Sequence, residues 1–324
     1  MSEYHKVIVI GGGITGLTVA HHLNHDGIDV IVLEKENQPG GTMTTFRKDG
    51  WLVERGPNTG LETTPLFKEL FGELGIRDQI MYANKYSYKR YILRNGLIHS
   101  LPMSTVSFLR TKLWSAAGKL RILKEPFIGK AEKEESISEF VTRRLGRELL
   151  DYAINPFVAG VFAGDPSRLS VRAAFPKLYA LEEKYGGLIR GMILGAAERK
   201  RRAEKAKDRA RQFSFTGGMQ TLPDVIASKL GDRVCCGTGI RSIKKNPDPG
   251  SPQFMIETGG KTESRIFTAD TVVLAVPSYI ASGLIRDLDP SLSHDLDSIY
   301  YPPVAEVFLG YRKEQVGCVL DGFG

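Results

Sequence analysis

Three glycines near the start of the chain have the spacing of a phosphate-binding turn. Gly11, Gly13 and Gly16 form the pattern G-x-G-x-x-G, with Gly12 and Thr15 between them. Glycines at this spacing allow a tight turn, let backbone N–H groups approach a diphosphate, and let a helix pack closely on the preceding strand. Since the N-terminus of such a helix favours an anion, these residues predict a dinucleotide-binding site.

An acidic residue follows at the distance that this kind of site requires. Glu34 lies eighteen residues after Gly16, near the end of the apolar segment "DVIVLEK", and Lys35 comes next. A carboxylate at this position accepts hydrogen bonds from the hydroxyls of an adenosine ribose and repels a 2′-phosphate. The alternative interpretation is a tight strand-to-helix turn without a ligand.

Local patterns predict the elements that must position these residues. The segment "VIVI" at 7–10 has a β-branched residue at every position, which is typical of a buried parallel strand. The segment at 17–23 has helical spacing, and "DVIVLEK" has the pattern of a second strand. A strand, a glycine turn, a helix and a strand that ends in an acid predict a Rossmann-like α/β domain.

A second glycine pair indicates which dinucleotide is bound. The pair follows the acidic strand end in "EKENQPGGTMTTF", and a Gly-Pro pair follows in "GWLVERGPN". Here the sequence resembles the flavin monoamine oxidase and phytoene desaturase superfamily, in which such a glycine pair wraps the phosphates of a flavin dinucleotide. The resemblance implies FAD as the cofactor and assigns to its site Gly40, Gly41, Thr42, Gly56, Pro57 and Asn58. Thr42 stands where these proteins usually have a basic residue.

The order of elements predicts a discontinuous fold. "YSYKRYILRNGLIHSLP" predicts a β-hairpin that turns at Asn95-Gly96, and short strands return after residue 213. The resemblance places Ile240 near the adenine. The predicted fold class is α/β with α+β elements. It comprises a discontinuous Rossmann-like FAD-binding domain (1–88 and 213–286), part of a substrate-binding β-sheet domain (89–107 and 287–324), and a helical insertion (108–212). The resemblance implies that this insertion contacts a membrane, and ordinary helix packing explains its apolar residues equally well.

The segment "YAINPFVAGVFAGDPSRLSVRAAFP" at 152–176 concerns the substrate. Its composition alone favours a loop between helices. Together with "KRYI", "FTGGMQTL" and "VLDGFG", it resembles the protoporphyrinogen oxidase family across essentially the whole chain. The resemblance implies that Arg90 pairs with a substrate propionate and that the Gly160 carbonyl faces the substrate beside the flavin. It also places Val304 and Leu320 against the tetrapyrrole, with core packing as an equal interpretation of both.

The same resemblance implies a flavin reaction. The expected activity is FAD-dependent oxidation of protoporphyrinogen IX to protoporphyrin IX in heme biosynthesis, with six electrons passing to molecular oxygen. Three alternatives stay open: oxidation of coproporphyrinogen III to coproporphyrin III, another flavin amine oxidase or desaturase reaction, and a non-catalytic FAD-binding module. The sequence ends at Gly324, before the segment that closes over the flavin in this superfamily, which favours a fragment of a longer protein.

Composition and charge argue against several other classes of protein. The net charge is +7, and residues 198–211 carry eight Lys/Arg against three Asp/Glu without aromatic residues, which is untypical of a nucleic-acid surface. Contact with anionic lipid is the functional alternative to a solvated helix end. The cysteines and histidines lack metal-ligand spacing, so no metal is expected. With no apolar run that suits a membrane span or a signal peptide, the sequence predicts a cytoplasmic protein and leaves open a homodimer and peripheral contact with the inner face of the membrane.

Overall fold

The computed structural model describes residues 2–84, 89–102, 104–195, 210–248, 250–259, 264–317 and 319–323. Two compact units contain them. The first, named the dinucleotide unit, comprises Met1–Ala83, Ala206–Tyr301 and Ala305–Gly310. The second, named the helical unit, comprises Asn84–Lys205, Pro302–Val304 and Tyr311–Gly324. The predicted discontinuous α/β fold is confirmed, because separate stretches of chain assemble the first unit; the three domain boundaries stay a prediction.

The described residues form β-strands and α-helices with the following bounds. The strands are β1 (Ser2–Ile10), β2 (Val30–Leu33), β3 (Thr45–Lys48), β4 (Trp51–Glu54), β5 (Gly60–Glu62), β6 (Ile80–Tyr82), β7 (Lys89–Arg94), β8 (Leu97–Ser100), β9 (Arg211–Phe215), β10 (Val234–Cys235), β11 (Gly239–Lys245), β12 (Phe254–Gly259), β13 (Ile266–Leu274) and β14 (Gly322–Phe323). The α-helices are α1 (Ile14–His25), α2 (Leu66–Leu74), α3 (Thr105–Arg110), α4 (Ala116–Leu123), α5 (Ile137–Arg144), α6 (Arg147–Leu149), α7 (Asn155–Phe162), α8 (Val171–Ala174), α9 (Pro176–Tyr185), α10 (Leu188–Leu194), α11 (Thr221–Leu230), α12 (Ser278–Ile285) and α13 (Pro290–Asp297).

A mixed sheet organises the dinucleotide unit. Its strand order is β10-β2-β1-β13-β12-β11, in which β10, β2, β1 and β13 run parallel and the last two strands are antiparallel. Every residue of 7–10 and of β2 is buried, as strands covered on both faces require. The register pairs Ile10 with Leu33 and with Leu274, so the strands end together at one edge of the sheet.

Helices cover one face of this sheet and fix the direction of the glycine turn. Leu17 and Ala20 of α1 and Ile226 of α11 are fully buried against Val7 and Val9 of β1. Burying an aliphatic side chain of this size stabilises the fold by about 1.5–3 kcal/mol. The first turn of α1 is therefore held against the carboxyl ends of β1 and β2.

The helical unit contains the predicted hairpin. Strands β7 and β8 pair antiparallel, and Asn95 and Gly96 both have positive φ angles, as a two-residue hairpin turn requires. This prediction is confirmed. Strand β14 pairs in parallel with β7 on its other side.

Most of the segment at 152–176 is helical, and residues 163–170 between α7 and α8 form the loop that its composition favours. A π-helix at Leu150–Ile154 leads directly into α7, and α8 begins at Val171. Pro156 is the second residue of α7, so its missing N–H falls where the hydrogen-bond pattern changes from π to α, and the helix continues through it. Val158 is fully buried with Phe140 and Ile137 of α5, and this packing outweighs the weak helix propensity of the segment.

A buried ion cluster joins the helices of this unit. Arg144 is fully buried, and its guanidinium lies 3.0 Å from carboxylate oxygens of both Glu125 and Glu182. Glu125 also accepts hydrogen bonds from the backbone N–H groups of Leu188 and Ile189 at the start of α10. The charges are paired and hydrogen-bonded, which is the condition for burying them.

Candidate functional site

The glycine turn at the end of β1 is set by close backbone contacts. Gly11 has a φ angle of +106°, and a Cβ atom there would lie 2.6 Å from the carbonyl oxygen of Ala275. A Cβ atom at Gly16 would lie 2.0 Å from the carbonyl oxygen of Gly11. Both positions require glycine, because a side chain would push α1 away from the turn. Gly12 is similarly enclosed, since its Cβ position lies 2.9 Å from Cβ of Glu34.

The third residue of the turn faces open space instead. A Cβ atom at Gly13 would meet no described atom within 4 Å. Gly13 precedes α1, and no side chain among the described residues caps this helix. The N–H groups of the first turn, including that of Thr15, have no intrahelical acceptor and can donate to a ligand. An uncapped helix N-terminus beside an open glycine face fits a diphosphate.

The Glu34 carboxylate lies at the end of β2 beside the turn. Its Oε2 accepts a hydrogen bond from the Gly12 N–H at 2.6 Å, and its Oε1 accepts one from the Glu36 N–H at 2.8 Å. Glu34 is only 8% exposed. An ionised carboxylate has about four acceptor positions, so two remain for the hydroxyls of a ribose.

The second glycine pair contacts the first turn. The Gly40 N–H donates to the carbonyl oxygen of Gly12 at 2.8 Å, and a Cβ atom at Gly41 would lie 3.3 Å from Cα of Gly13. Both glycines have positive φ angles. This loop and the glycine turn therefore form neighbouring walls of one site.

A cavity of about 960 Å³ opens between these walls. It lies at the upper end of the size range of small-molecule sites, which suits a dinucleotide. Of the residues assigned from the sequence, its lining contains Gly11, Gly13, Thr15, Glu34, Lys35, Gly40, Gly41, Thr42 and Ile240. The residues present therefore fit FAD: N–H groups for the diphosphate, a carboxylate for the ribose, and an aliphatic side chain for the adenine.

Other assigned residues lie outside the lining of this cavity. Gly12 and Gly16 lie behind it and shape the turn. A Cβ atom at Gly56 would lie 2.0 Å from the carbonyl oxygen of Thr42, so this glycine lets the chain pass close to the second glycine pair. Pro57 and Asn58 are exposed in the following loop. Direct contact of Gly56, Pro57 and Asn58 with a cofactor stays a prediction.

The cavity also contains residues that the sequence reasoning missed. They include Glu36, Asn37, Arg55, Thr238, Val276, Pro277 and Tyr279. Arg55 had a signal, because it directly precedes the Gly-Pro pair in "ERGPN". Val276 and Pro277 follow β13 at the same sheet edge as the glycine turn, which only the strand order reveals.

The four residues assigned to the substrate lie in the helical unit. Arg90 is half-buried in β7, and Leu320 precedes β14, so the pairing of these strands brings their backbones together. Between them, Asp321 bonds the Lys89 ammonium and the Tyr91 hydroxyl, both at 2.5 Å. Lys89 and then Tyr91 are the main causes that hold the pKa of Asp321 below its usual range. Because side chains alternate along a strand, Arg90 points to the other face of β7.

Gly160 and the two apolar residues have different surroundings. Gly160 lies in the last turn of α7, whose carbonyls lack intrahelical partners, and a Cβ atom there would meet no described atom within 4 Å. Val304 is 72% exposed and Leu320 is 67% exposed. Core packing therefore explains neither residue in this structure, and contact with a substrate stays a prediction for all four.

Other expectations concern the thiols, metals and membranes. Burial raises the pKa of the Cys235 and Cys236 thiols, so both stay protonated near neutral pH, while Cys318 lies outside the described residues. The described ranges contain no His, Cys, Asp or Glu cluster of metal-ligand geometry. Within the same ranges, no helix has the length and apolarity needed to cross a bilayer. Most of the basic run at 198–211 also lies outside them.

Fold and site together are those of a dinucleotide-binding protein. Residues 14–318 match the sequence model of the family described as "Flavin containing amine oxidoreductase", and the chain belongs to this family. FAD is therefore the cofactor that this family membership indicates and that the site fits.

Individual relatives confirm the resemblance to porphyrinogen oxidases. The chain is 35% identical to a chloroplastic protoporphyrinogen oxidase of Oryza sativa, over 97% of this chain and 61% of the relative. It is 30% identical to a coproporphyrinogen III oxidase of Bacillus subtilis, over 100% of this chain and 70% of the relative. A crystal structure from Exiguobacterium sp. 255-15 shares the fold with a TM-score of 0.68 and 24% identity, over 90% of this chain and 63% of that one. The chain thus spans about 61% of the rice relative's length.

Proposed function

We propose that this chain holds the FAD site of an enzyme that oxidises protoporphyrinogen IX to protoporphyrin IX. The observation that carries the proposal is the dinucleotide cavity between the two glycine loops, in a chain that is similar along its length to porphyrinogen oxidases. Bound FAD would supply the redox chemistry, removing a hydride from a methylene bridge in each of three rounds, while three dioxygen molecules take up the six electrons and become hydrogen peroxide.

The residues of the chain then bind and orient. The N–H groups at the start of α1 hold the diphosphate, and Glu34 holds the ribose. Arg90 would pair with a propionate, because a guanidinium offers two parallel donors to a carboxylate. Gly160 would present its backbone carbonyl to the substrate without adding side-chain bulk.

Coproporphyrinogen III is the second candidate substrate. The observation that favours it is the relative from Bacillus subtilis, which covers this whole chain. Both porphyrinogens carry propionates and the same methylene bridges, so Arg90 suits either of them. The ratio of kcat/KM for the two substrates on one preparation decides between them.

The remaining proposals concern surroundings and partners. We place the enzyme in the cytoplasm, with a homodimer left open and with peripheral contact of the helical unit with the inner face of the membrane. Leu109 and Leu120 of α3 and α4 support this contact, since they are 62% and 61% exposed. Leu113 and Trp114, which lie between these helices, are instead buried and pack inside the unit. Retention of the chain on anionic vesicles, lost when Leu109 and Leu120 become Ser, tests this contact.

The principal test combines cofactor identification with turnover. The chain is purified, its visible absorbance is recorded, the released cofactor is identified, and porphyrin fluorescence is followed with both porphyrinogens and with amines. FAD with porphyrin formation supports the proposal. FAD with turnover of amines alone would replace it with an amine oxidase, and FAD without any turnover by this chain or its full-length form would replace it with a binding module.

Arg90→Ala isolates the substrate contact. We expect it to weaken porphyrinogen binding by about 2–4 kcal/mol where the ion pair is buried, with the FAD content unchanged. Arg90→Lys should keep part of the binding. Arg110→Ala, an exposed change at the end of α3, is the matched control and should leave KM unaltered. A KM for Arg90→Ala equal to that of the control would remove Arg90 from the substrate site.

A further inference from the structure

We infer that Arg55 is the cation that neutralises the diphosphate of the bound dinucleotide. The inference rests on FAD binding alone and is independent of the porphyrinogen reaction. It begins with the charges of the cavity. The charged side chains that line it are two acids, Glu34 and Glu36, and two cations, Lys35 and Arg55.

Three of these four charges already have partners. Glu34 accepts two backbone hydrogen bonds, and the Lys35 ammonium lies 3.5 Å from a carboxylate oxygen of Glu36. The Arg55 guanidinium has no carboxylate within 4 Å and no side-chain hydrogen bond among the residues that the structure describes. A diphosphate brings about two more negative charges into a cavity whose formal charge is zero. Arg55 is the lining cation available to balance them.

The backbone around Arg55 fixes its position beside the second glycine loop. The Arg55 N–H donates to the carbonyl oxygen of Thr44 at 2.8 Å, which extends the β3–β4 pairing by one residue. Gly56 then passes close to the carbonyl of Thr42. This loop contacts Gly13, the open residue of the glycine turn. The backbone of Arg55 therefore lies in the wall of the cavity that is formed with the second glycine loop and faces the uncapped N-terminus of α1.

The chemistry of the side chain matches this role. A guanidinium gives a phosphate two parallel, charge-assisted hydrogen bonds, and it stays protonated at any physiological pH. The side chain is exposed without the ligand, so its charge carries no desolvation penalty before binding. Because the cavity is open to solvent, the attraction should weaken as salt concentration rises.

The experiment measures nucleotide binding rather than turnover. FAD is removed from the purified chain, and the apoprotein is titrated with FAD while flavin fluorescence is followed. ADP and adenosine are then used as competitors, since they share the adenine and ribose and differ in the diphosphate. The variants are Arg55→Ala, Arg55→Lys and, as the matched control, Arg47→Ala, an exposed arginine of the same hairpin outside the cavity lining. Circular dichroism verifies that each variant is folded.

We expect Arg55→Ala to weaken FAD and ADP binding about tenfold to a hundredfold and to leave adenosine binding unchanged. Its FAD affinity should also depend less on salt than that of the original chain. Arg55→Lys should lie between the two, and Arg47→Ala should bind normally. Adding Thr42→Lys to Arg55→Ala should restore part of the affinity, because Thr42 lines the same wall.

Two results would overturn the inference. If Arg55→Ala binds ADP as the control does, Arg55 does not contact the diphosphate. If it loses ADP and adenosine equally, Arg55 supports the shape of the cavity and not the charge balance. Either result leaves the porphyrinogen proposal standing, whereas a chain that binds ADP through Arg55 and never turns over a porphyrinogen would refute that proposal alone.

Discussion

The two units hold their polar groups in different ways. In the dinucleotide unit, backbone atoms form most of the polar contacts: glycine backbones pack closely on one another, and Glu34 accepts hydrogen bonds from two backbone N–H groups. In the helical unit, side chains form these contacts: Arg144 lies between Glu125 and Glu182, and Asp321 lies between Lys89 and Tyr91. Enclosed glycines such as Gly11 and Gly16 leave no room for an added side chain, whereas the buried ion cluster depends on its charges being paired.

The largest expected effect is that of Gly16→Ala. Its Cβ would lie 2.0 Å from the carbonyl oxygen of Gly11, a backbone atom that cannot rotate away. We expect a loss of about 4–5 kcal/mol in the free energy of unfolding of the dinucleotide unit and no detectable FAD binding. Urea denaturation followed by circular dichroism measures the first quantity, and flavin absorbance after purification measures the second.

Gly13→Ala separates folding from binding at the same turn. A Cβ atom at Gly13 meets no described atom, and its φ angle of −69° suits any residue. The variant should therefore fold as the original chain does and lose FAD, because the methyl group occupies the space for the diphosphate. Normal FAD binding by Gly13→Ala would show that the diphosphate lies elsewhere.

The next effect tests the side-chain half of the comparison. Arg144→Leu leaves the buried carboxylate of Glu125 without its cation and leaves Glu182 with Arg143 alone, which should cost about 3–5 kcal/mol in the free energy of unfolding. Arg147→Leu is the control, since the Arg147 side chain is 73% exposed and its pair with Asp151 should contribute about 0.5 kcal/mol or less. Denaturant titrations compare the two, and equal midpoints would contradict the assigned role of the cluster.

The difference between backbone contacts and side-chain contacts also explains which features could be predicted from the sequence. Turn glycines, the strand 7–10, Glu34 and the Asn95-Gly96 hairpin have signals within a few residues, because each rests on a local backbone requirement. In the Arg144 cluster, Glu125 and Glu182 are separated from Arg144 by 19 and 38 positions in the sequence, so no local pattern predicts the cluster. The helix at 155–162 was missed because packing of Val158, and not propensity, decides it. Residues such as Val276 reach the cavity only through the strand order.

A smaller effect is expected at Glu34, a charged side chain that backbone N–H groups hold in place. Glu34→Gln keeps one acceptor oxygen but leaves the N–H of Gly12 or of Glu36 without a partner, so FAD should bind about tenfold more weakly. The loss of the negative charge should also improve the binding of adenosine 2′,5′-bisphosphate relative to AMP. Competition against FAD measures this ratio, with the exposed change Glu69→Gln as control. An unchanged ratio would refute the assignment of Glu34 to the ribose.

The smallest effect on folding, and the sharpest contrast with Gly16, is that of Gly160→Ala. Gly160 lies within α7, and a Cβ atom there meets no described atom. Alanine is favoured over glycine inside a helix by up to about 1 kcal/mol, so the variant should be slightly more stable than the original chain. Thermal denaturation of both proteins measures this difference.

Function should move in the opposite direction from stability at this residue. If the open space beside Gly160 receives the tetrapyrrole, the added methyl group raises KM for the porphyrinogen while the FAD content stays the same. Ala159→Gly, at the neighbouring position of α7, is the matched control, because it weakens the helix without adding bulk. A stabilised Gly160→Ala variant with an unchanged KM would mean that the substrate does not use this face, and that the helix merely tolerates a glycine there.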